Sequence, residues 1–354
     1  MHNYLISTLL LITPLATSAV ANNDNHFGFL GAAMDNDNFA YLQNVGAGWM
    51  RPHPGPAVWE MIQSEDGGDY DWDFMDGIVE KANKHEINLL ITIWPFAAWD
   101  QVRKADPTAC EVADTDEFLP NKEAEDKGRV EYIPGYRCNP YDWAEYQRWV
   151  RAMVERYDGD GRKDLPGLTM PVTHWEVMNE PDLPGSETLD FYKEGSDEYY
   201  ALLRRTAKAI RQADDDANIV IAGAAGAELN QEGEFMDFYY NLFTDHPQAK
   251  KYFTIGNIHH VSMANETDFN VAVYQTMLDT FNINKPIWVT EAGAEGSPAD
   301  EQKQYVRSAT QEAVEAGAKR IFYISYAFGD DYGSASQKRA KKVYRKLIDR
   351  WNED

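Results

Sequence analysis

Two segments of the chain each place a glutamate directly after a run of apolar residues. The first, HWEVMNEP at 174–181, ends a strand-like run with Asn179-Glu180 before a proline stops it. The second, KPIWVTEAG at 285–293, ends a similar run with Glu291 and continues with small residues that let a ligand approach. Both patterns predict a carboxyl group at the C-terminal tip of a strand. Asn179 adds an amide that can hydrogen-bond a hydroxyl group.

A pair of carboxyl groups is what cleavage of a glycosidic bond requires. One group must carry a proton for the leaving oxygen, and the other must be ionised to attack or to activate water. Crowding the two groups raises one pKa, which separates their roles. A retaining reaction needs a separation of ~5–5.5 Å and an inverting one ~6.5–9.5 Å, and the sequence spacing does not choose between them. The alternative for Glu180 and Glu291 is a structural role, as helix caps or in loop ion pairs.

Strand-like and helix-like segments alternate from end to end, and they must position these glutamates. Most strand candidates are short continuous apolar runs, which are typical of parallel strands covered by helices. The eight candidates are 27–34, 48–52, 88–94, 173–178, 219–223, 254–260, 286–290 and 319–326.

Amphipathic helical patterns follow these strands at 38–44, 72–84, 143–157, 198–213, 234–243, 269–281, 300–316 and 336–351. Asp142 is the expected N-cap of the third pattern. Strand–helix units in this number predict an α/β fold, a single (β/α)8 TIM barrel over residues 22–354. The competing open doubly wound sheet often carries a glycine fingerprint after its first strand, and Gly28 and Gly31 do not fit one.

The longest connection, 95–140, follows the third strand candidate and contains Trp99, Cys110 and Cys138. A long connection at this end of a barrel predicts a wall of the substrate cleft, and a solvated insertion is the alternative. Sugar rings have apolar faces, so Trp99 is the preferred stacking platform, with simple packing as the alternative.

The N-terminus has the pattern of a signal peptide. An apolar run at 4–16 is followed by Ala19-Val20-Ala21, which predicts a cleaved segment at 1–21 and a secreted or periplasmic protein. A buried first helix is the alternative, which Pro14 disfavours. Export predicts a disulfide between Cys110 and Cys138 rather than two separate thiols. No later run is long enough to span a membrane.

The composition excludes several classes of function. The chain has 33 Lys+Arg against 58 Asp+Glu, a formal net charge of −25, whereas nucleic-acid binding needs a basic surface. Hydrophobic residues at 44% and aromatic residues at 13% are too frequent for a disordered chain. The 2 cysteines exclude a four-thiolate zinc site.

The motifs resemble those of a known group of enzymes. WEVMNEP and IWVTEAG are similar to the fourth- and seventh-strand signatures of the clan A retaining glycoside hydrolases, which are (β/α)8 barrels. Arg51 in GWMRP is similar to the clan's arginine at the end of strand two. IAGAAG at 221–226 and IGNIHHVS at 255–262 are similar to its strand-five and strand-six regions. The nearest type is family 39, the β-xylosidase-like enzymes, because 140–159 resembles its third-helix segment.

The resemblance implies roles for individual residues. Glu180 is expected to be the general acid/base and Glu291 the nucleophile, while Asn179 binds the sugar 2-hydroxyl. Arg51 is expected to hold Glu291 in its ionised form, with a framework ion pair as the alternative. The implied substrate is a poly- or oligosaccharide, and no metal or organic cofactor is needed.

The chain also departs from the family pattern. Strand eight lacks the Trp that floors the sugar subsite, so Tyr323 or Tyr326 is expected to replace it. The strand-six Tyr beside the nucleophile is replaced by His259 or His260. Adjacent strand residues point to opposite faces, so only one of the two can face the mouth. A metal site at this pair is the alternative.

The resulting prediction is a secreted retaining glycosidase acting on a β-linked glycan. The alternatives are a non-catalytic glycan-binding barrel, a metal-dependent barrel hydrolase, and an enzyme of the same clan acting on a marine-type galactan. The presence of both glutamates disfavours the first, and the lack of an H-x-H or H-E-x-x-H motif disfavours the second.

Overall fold

The structure is a computed structural model that describes residues 25–31, 36–120, 131–183, 185–225, 234–262, 269–294, 299–324 and 335–352. Its centre is a sheet of nine parallel strands. The strands are β1 (Phe27–Gly31), β2 (Trp49–Pro52), β3 (Asn88–Ile93), β4 (His174–Val177), β5 (Asn218–Ile221), β6 (Ala224–Ala225), β7 (Gly256–Ser262), β8 (Ile287–Ala294) and β9 (Ala318–Ile324).

The sheet curls into a barrel. Its strand order is β5-β4-β3-β2-β1-β9-β8-β7-β6, so neighbours in sequence are neighbours in space. The two ends meet because a parallel bridge joins Val220 of β5 to Ile255, which directly precedes β7. β5 and β6 are two short pieces of one staggered strand, so the wall has eight strand positions. The prediction of a (β/α)8 barrel is confirmed.

Helices cover the outside of this wall. They are α1 (Asn36–Val45), α2 (Trp59–Ile62), α3 (Asp73–Lys84), α4 (Ala98–Gln101), α5 (Trp143–Tyr157), α6 (Ser196–Ala213), α7 (Glu234–Asp245), α8 (Val271–Thr280), α9 (Ala299–Glu315) and α10 (Ala335–Asn352). The predicted N-cap is confirmed at α5, where the Asp142 carboxylate accepts hydrogen bonds from the backbone N–H of Ala144 and Glu145, both at 3.0 Å.

The inside of the barrel is filled in layers, because alternate residues of each strand point inward. The layer nearer the N-terminal ends is apolar, and we call it the lower layer. It consists of Trp49, Leu90, Val220, Ile255, Trp288 and Phe322. Trp49, Trp175 and Trp288 all lie within strands and are core residues, since none is more than 2% exposed.

The long connection after β3 has more structure than a loop. It contains α4 and a short 3-10 helix, Pro107–Cys110. A disulfide joins Cys110 to Cys138, as predicted, with their Cα atoms 5.2 Å apart. A buried ion pair between Arg137 and Asp116, 2.7 Å long, anchors the middle of the connection.

Two predicted features lie outside the described residues. These are the signal peptide at 1–21 and Tyr326. None of the helices in the described residues is both long and apolar enough to cross a membrane.

Candidate active site

A second layer, which is polar, lies directly above the lower layer. Its members Arg51, Thr92, Asn257 and Thr290 each lie two positions after a residue of the lower layer, and Glu176 of β4 is its fifth member. We call this the polar layer. Each side chain is at most 1% exposed, so a buried polar network occupies the barrel lumen just below its C-terminal mouth. Such a network is stable only when its groups satisfy one another.

Glu176 is the acceptor at the centre of the polar layer. Its carboxylate accepts hydrogen bonds from Arg51 Nε at 2.7 Å, from Asn257 Nδ2 at 2.6 Å and from Thr290 Oγ1 at 3.1 Å. Thr92 also donates to it. Burial alone would raise the pKa of Glu176, but Arg51 and the hydrogen bonds overcome this effect and lower it to about 2. Glu176 is therefore a permanent anion that holds the network together.

Arg51 extends from this anion to the mouth. Its Nη1 donates to Glu291 Oε2 at 3.0 Å, and its Nη2 donates to Asn179 Oδ1 at 2.6 Å. Burial opposes the charge of Arg51, while the carboxylates of Glu176 and Glu291 raise its pKa. One guanidinium thus fixes three of the candidate groups relative to each other, in the fork geometry that arginine provides.

A β-bulge on β8 brings Glu291 into the mouth. The pairing with β7 steps from Ile258↔Val289 to His259↔Glu291, so Thr290 is an extra residue in the register. Thr290 hydrogen-bonds Asn257 inside the barrel, yet the next residue, Glu291, also reaches the lumen side to meet Arg51. Consecutive residues of a regular strand would point to opposite faces, so the bulge is what permits both contacts.

The end of β4 departs from regular geometry in a different way. Met178 has φ +76° and Glu180 has φ +38°, both in the left-handed region that non-glycine residues seldom adopt. This conformation directs Asn179 to Arg51 and Glu180 to His259. Such strain costs on the order of 1–3 kcal/mol per residue and concentrates at functional sites.

His259 lies between the two glutamates. Its Nδ1 is 2.8 Å from Glu180 Oε1 and 3.7 Å from Glu291 Oε2. Its Nε2 is 2.8 Å from Thr290 Oγ1, which ties the ring to the polar layer. Only one of the two adjacent histidines faces the mouth, as expected. His260 points away and packs against Phe269, with ring centroids 5.9 Å apart. As the replacement of the strand-six Tyr, His259 was expected to contact the nucleophile, Glu291. Its hydrogen bond is instead with Glu180.

The ionisation of these groups is coupled. Burial opposes protonation of His259, but the nearby carboxylates of Glu176 and Glu180 outweigh it and raise the pKa to about 9. Burial and the neighbouring Glu180 carboxylate raise the pKa of Glu291, while His259 and Arg51 act in the opposite direction. Glu291 therefore binds a proton more readily than an isolated carboxyl group does.

Asn179 has a donor to spare. Its side chain is 1% exposed, and its Oδ1 accepts from Arg51. Its Nδ2 has no hydrogen-bond partner among the described residues. A buried amide with an unused N–H is costly, so this donor is suited to an acceptor that arrives with a ligand, such as a sugar hydroxyl.

Gly223, between β5 and β6, makes room for His259. A Cβ built on this glycine would lie 2.0 Å from His259 Nε2, closer than any real contact. The IAGAAG segment therefore needs a glycine here for a packing reason. Both glutamates are 9% exposed, at the edge of this packed region.

Tyr323 does not belong to the site, which corrects the sequence prediction. It is 1% exposed and packs against Phe29 and Tyr344, with ring centroids 6.0 and 4.8 Å apart. Its hydroxyl hydrogen-bonds Thr310 of α9. Its neighbour Phe322 points into the lower layer, so the alternation of β9 turns Tyr323 outward to the helices.

Trp99 is also placed away from the glutamates. Its ring packs against Trp59 with centroids 4.9 Å apart, and its Nε1 donates to the backbone oxygen of Gln63 at 2.8 Å. Trp59 in turn packs against Tyr146 and Trp149 of α5, on the helix side of the wall. The packing alternative describes Trp99 better than a sugar platform.

Two groups of side chains in the described residues have a geometry that could hold a cation. Glu180, His259 and Glu291 each offer a ligand atom within 4.8 Å of the others. A protonated His259 and the adjacent Arg51 oppose a metal ion there. The second group is Asp158, Asp160 and Asp164, a surface cluster before β4.

Two contributors to the site were not assigned by the sequence. Neither Glu176 nor Asn257 was among the residues predicted for the site. The spacing contained a signal, because Glu176 lies four residues before Glu180 and Asn257 lies two before His259, and an even spacing places both residues of a pair on one face of a strand. Both face the lumen by the period-two rule.

Comparisons with known proteins identify the fold. No family model and no curated protein sequence matches the chain. Similar solved structures include a glucosidase from Croceicoccus marinus, with TM-score 0.63 and 14% identity over 94% of this chain and 69% of that one. They also include the endo-beta-1,4-mannanase from Thermotoga petrophila, with TM-score 0.57 and 12% identity over 93% and 77% of the two chains.

A third similar structure is the endoglucanase from Pseudomonas stutzeri, with TM-score 0.55 and 14% identity over 92% of this chain and 94% of that one. Similarity at this level of identity shows the fold. The chain therefore shares its curled parallel α/β barrel with these three enzymes, whereas the closer resemblance to family 39 remains a prediction.

Proposed function

We propose that this protein is a retaining glycosidase that hydrolyses a β-linked poly- or oligosaccharide. The observation that carries the proposal is the placement of the two glutamates at one end of the barrel. Carboxylate oxygens of Glu180 and Glu291 lie within 4.8 Å of each other, on either side of His259. This upper limit is below the ~6.5–9.5 Å that an inverting reaction needs for its water, and it supports the shorter spacing of ~5–5.5 Å that retaining enzymes use.

The reaction follows from the two environments. Glu291, fixed by Arg51, attacks the anomeric carbon while Glu180 gives its proton to the leaving oxygen. This step forms a glycosyl-enzyme ester and releases the first product. Glu180, now ionised, removes a proton from water, which attacks the anomeric carbon and frees Glu291. The net result is two inversions at that carbon and retention of its configuration.

The surrounding residues position these groups. Arg51 aligns Glu291 and opposes the effect of burial on its ionisation, and the hydrogen bond with His259 orients Glu180. The unused Nδ2 of Asn179 is placed to bind the sugar 2-hydroxyl, an interaction that strengthens as charge develops on the ring. Proteins that share this fold include an endo-beta-1,4-mannanase and an endoglucanase. This similarity favours a β-linked glycan as substrate.

The stereochemistry of the product tests the proposal directly. The protein is incubated with a panel of β-linked oligosaccharides and polysaccharides, and the anomeric protons of the first product are followed by NMR. Early appearance of the β-anomer is expected. An α-anomer would contradict the double displacement, and no hydrolysis of any glycan would contradict the glycosidase assignment.

Substitution of the nucleophile gives the sharpest test of residue roles. Glu291→Ala is expected to lower kcat by at least about 10⁴-fold, because no covalent intermediate can form. The variant should keep the circular dichroism spectrum of the wild type. Asp158→Ala is a matched control that removes a carboxyl group from the surface cluster. An active Glu291→Ala protein would refute the nucleophile role.

Substitution of the acid/base should depend on the leaving group. Glu180→Ala is expected to lose about 10²–10⁴-fold on substrates with poor leaving groups, which need protonation. Activated aryl glycosides should lose much less, and azide should restore turnover by attacking the glycosyl-enzyme without a general base. An equal loss on both substrate classes would count against Glu180 as the acid/base.

We also propose that the protein is exported, on the basis of its N-terminal pattern and the Cys110–Cys138 disulfide. Mass spectrometry of the protein from its native cells is expected to find a mature chain that begins near Asn22. A cytoplasmic chain that retains residues 1–21 would contradict this proposal.

A further inference from the structure

A cavity on the catalytic face, distinct from the glutamate site, lies between the connections that follow β3 and β4. Its volume is about 440 Å³, and its wall includes Tyr141, Lys104 and Lys193. Tyr141 precedes α5 by two residues, and Lys193 precedes α6 by three. In strand–helix units the start of each helix lies at the end of the barrel where the preceding strand ends. The cavity therefore opens on the same end of the barrel as Glu180.

Tyr141 is unusual for its exposure. The exposed large apolar side chains in the described part of the chain are Val102, Tyr141 and Val273, and only Tyr141 is aromatic. Its ring is 51% exposed although the Arg103 guanidinium lies over it, 4.9 Å from the centroid. The guanidinium is itself held by Asp66 at 3.3 Å. An aromatic ring supported in this way offers a flat apolar surface at the edge of the cavity.

The backbone that carries this ring is fixed from below. The carboxylate of Asp100, which is fully buried, accepts from the backbone N–H of Tyr141 at 2.6 Å and of Asp142 at 2.9 Å. Gln101 makes two hydrogen bonds with the backbone of Cys138, at 2.6 and 2.9 Å. The disulfide of Cys138 joins the same segment to the 3-10 helix. A ligand that stacks on Tyr141 would therefore meet a preorganised surface.

The rest of the wall combines small apolar residues with charged groups of both signs. It contains Lys104 and Lys193 together with Asp106 and Glu194. Lys104 pairs with Glu194 at 3.1 Å, and Lys193 pairs with Asp190 at 2.8 Å. These groups supply hydrogen-bond donors and acceptors around the Tyr141 ring. Their positive and negative charges balance. That combination suits a neutral ligand with many hydroxyl groups and one apolar face.

We propose that this cavity is an accessory glycan-binding site, in which Tyr141 stacks on a sugar ring of a neutral β-linked chain remote from the bond that is cut. The inference rests on the proposed glycosidase function and extends it, because it assigns a second contact region for a polymeric substrate on the catalytic face. A long glycan chain can occupy the glutamate site and this cavity at the same time. It then binds more tightly than a short chain, because binding at one site raises the effective concentration of the chain at the other.

Binding can be measured without catalysis. The Glu291→Gln protein is run in native gels that contain hydroxyethylcellulose, glucomannan or arabinoxylan, and its retardation gives a dissociation constant. Adding Tyr141→Ala is expected to weaken binding to at least one of these neutral glycans about fivefold, the size of one aromatic stacking contact. Tyr141→Trp should bind at least as tightly as the parent. Polygalacturonate, an anionic polymer, should show no dependence on residue 141.

A matched control removes a different exposed apolar side chain. Val273→Ala on α8 should bind like the parent, since Val273 does not line the cavity. The proposal is overturned if Tyr141→Ala binds every neutral glycan as Val273→Ala does, or if the parent binds none of them. Thermal unfolding of each variant checks that the barrel is intact.

Kinetics separate this proposal from the function on which it rests. Here Tyr141→Ala is made in the active protein, with Glu180 and Glu291 intact. Relative to the wild type, its ratio of kcat/KM on the polymer to kcat/KM on a short aryl glycoside should fall about fivefold. An unchanged ratio would reject the accessory site and leave the glycosidase assignment standing. Absence of hydrolysis on both substrates in the parent would reject the glycosidase assignment, whatever the gels show.

Discussion

The two layers inside the barrel are built by the same strands and differ in almost every physical property. The lower layer is apolar, with Trp49 and Trp288 packed edge to face at 5.3 Å. The polar layer begins two residues later on each strand and contains a buried cation, Arg51, against a buried anion, Glu176. Two residues along a strand, roughly 7 Å, thus separate the packed base of the barrel from its ionised network.

The comparison shows how the fold divides its tasks. The lower layer gains free energy by removing large apolar surfaces from water. The polar layer contributes little net stability, because the cost of burying charges offsets their attraction. Its value is positional, since Arg51 and His259 hold the two glutamates at fixed distances. Stability and chemistry can therefore be perturbed separately, which leads to three predictions.

The largest expected effect comes from breaking the polar layer at its cation. Arg51→Met leaves Glu176 as an unpaired buried charge, which is expected to destabilise the fold by about 3–5 kcal/mol. The same change frees Glu291 and should lower kcat by at least about 10³-fold, because the nucleophile loses its alignment. Urea unfolding and steady-state kinetics measure the two effects. Arg51→Lys, which keeps the charge, should unfold less readily than Arg51→Met, and equal stability would show that charge is not what the layer requires.

A substitution in the lower layer should affect stability alone. Trp288→Ala removes a side chain that is 2% exposed, stacked on His174 at 4.9 Å, and is expected to cost about 3–5 kcal/mol of unfolding free energy. Protein that remains folded should keep most of its kcat, since Trp288 touches none of the reacting groups. A large loss of kcat with little loss of stability would mean that the two layers are not separable.

The smallest expected effect concerns pH. Protonated His259 stabilises the folded state because its pKa is raised to about 9 from an ordinary value of 6.5. Its contribution is complete below pH 6.5 and is lost as pH rises through 9, by on the order of 3 kcal/mol. Asp182, whose pKa burial and Glu180 raise to about 8, acts in the same direction.

The contribution of His259 is isolated by comparing two proteins. Urea unfolding at pH 6 and pH 9.5 is expected to show a fall in stability for the wild type that is about 3 kcal/mol larger than for His259→Gln. An equal fall in both proteins would mean that His259 is neutral at pH 6. Its position between Glu180 and Glu291 would then require a different account of the proton in the site.

Much of the barrel was predictable because parallel strands and their covering helices have strong periodic patterns. The third predicted helix, 143–157, has the bounds of the observed α5, and its N-cap signal at Asp142 is local in sequence. The four-residue helices α2 and α4 were missed, since one turn leaves no detectable period. They pack against each other through Trp59 of α2 and Trp99 of α4, a contact between residues distant in sequence.

The site was predictable only in part. Glu180, Asn179 and Glu291 could be singled out because each follows an apolar run at a strand end, whereas Arg51 was singled out only through the family resemblance. Tyr323 was misplaced because a continuous apolar strand does not reveal which alternate residues face the lumen. The period-two rule predicted that His259 and His260 point to opposite faces. It did not predict which glutamate the inward ring would contact.

The sequence by itself determined the order of strands and helices, and that two glutamates end separate strands, because these features depend on local pattern and on the short reach of parallel connections. Only the tertiary structure decided that Glu291 and Thr290 both enter the lumen, through a bulge, and that Glu180 turns toward His259 through a left-handed backbone. The reason is physical. Bulges and strained dihedrals persist where contacts distant in sequence hold them, and here those contacts come through Arg51 and Glu176 from strands up to 240 residues apart.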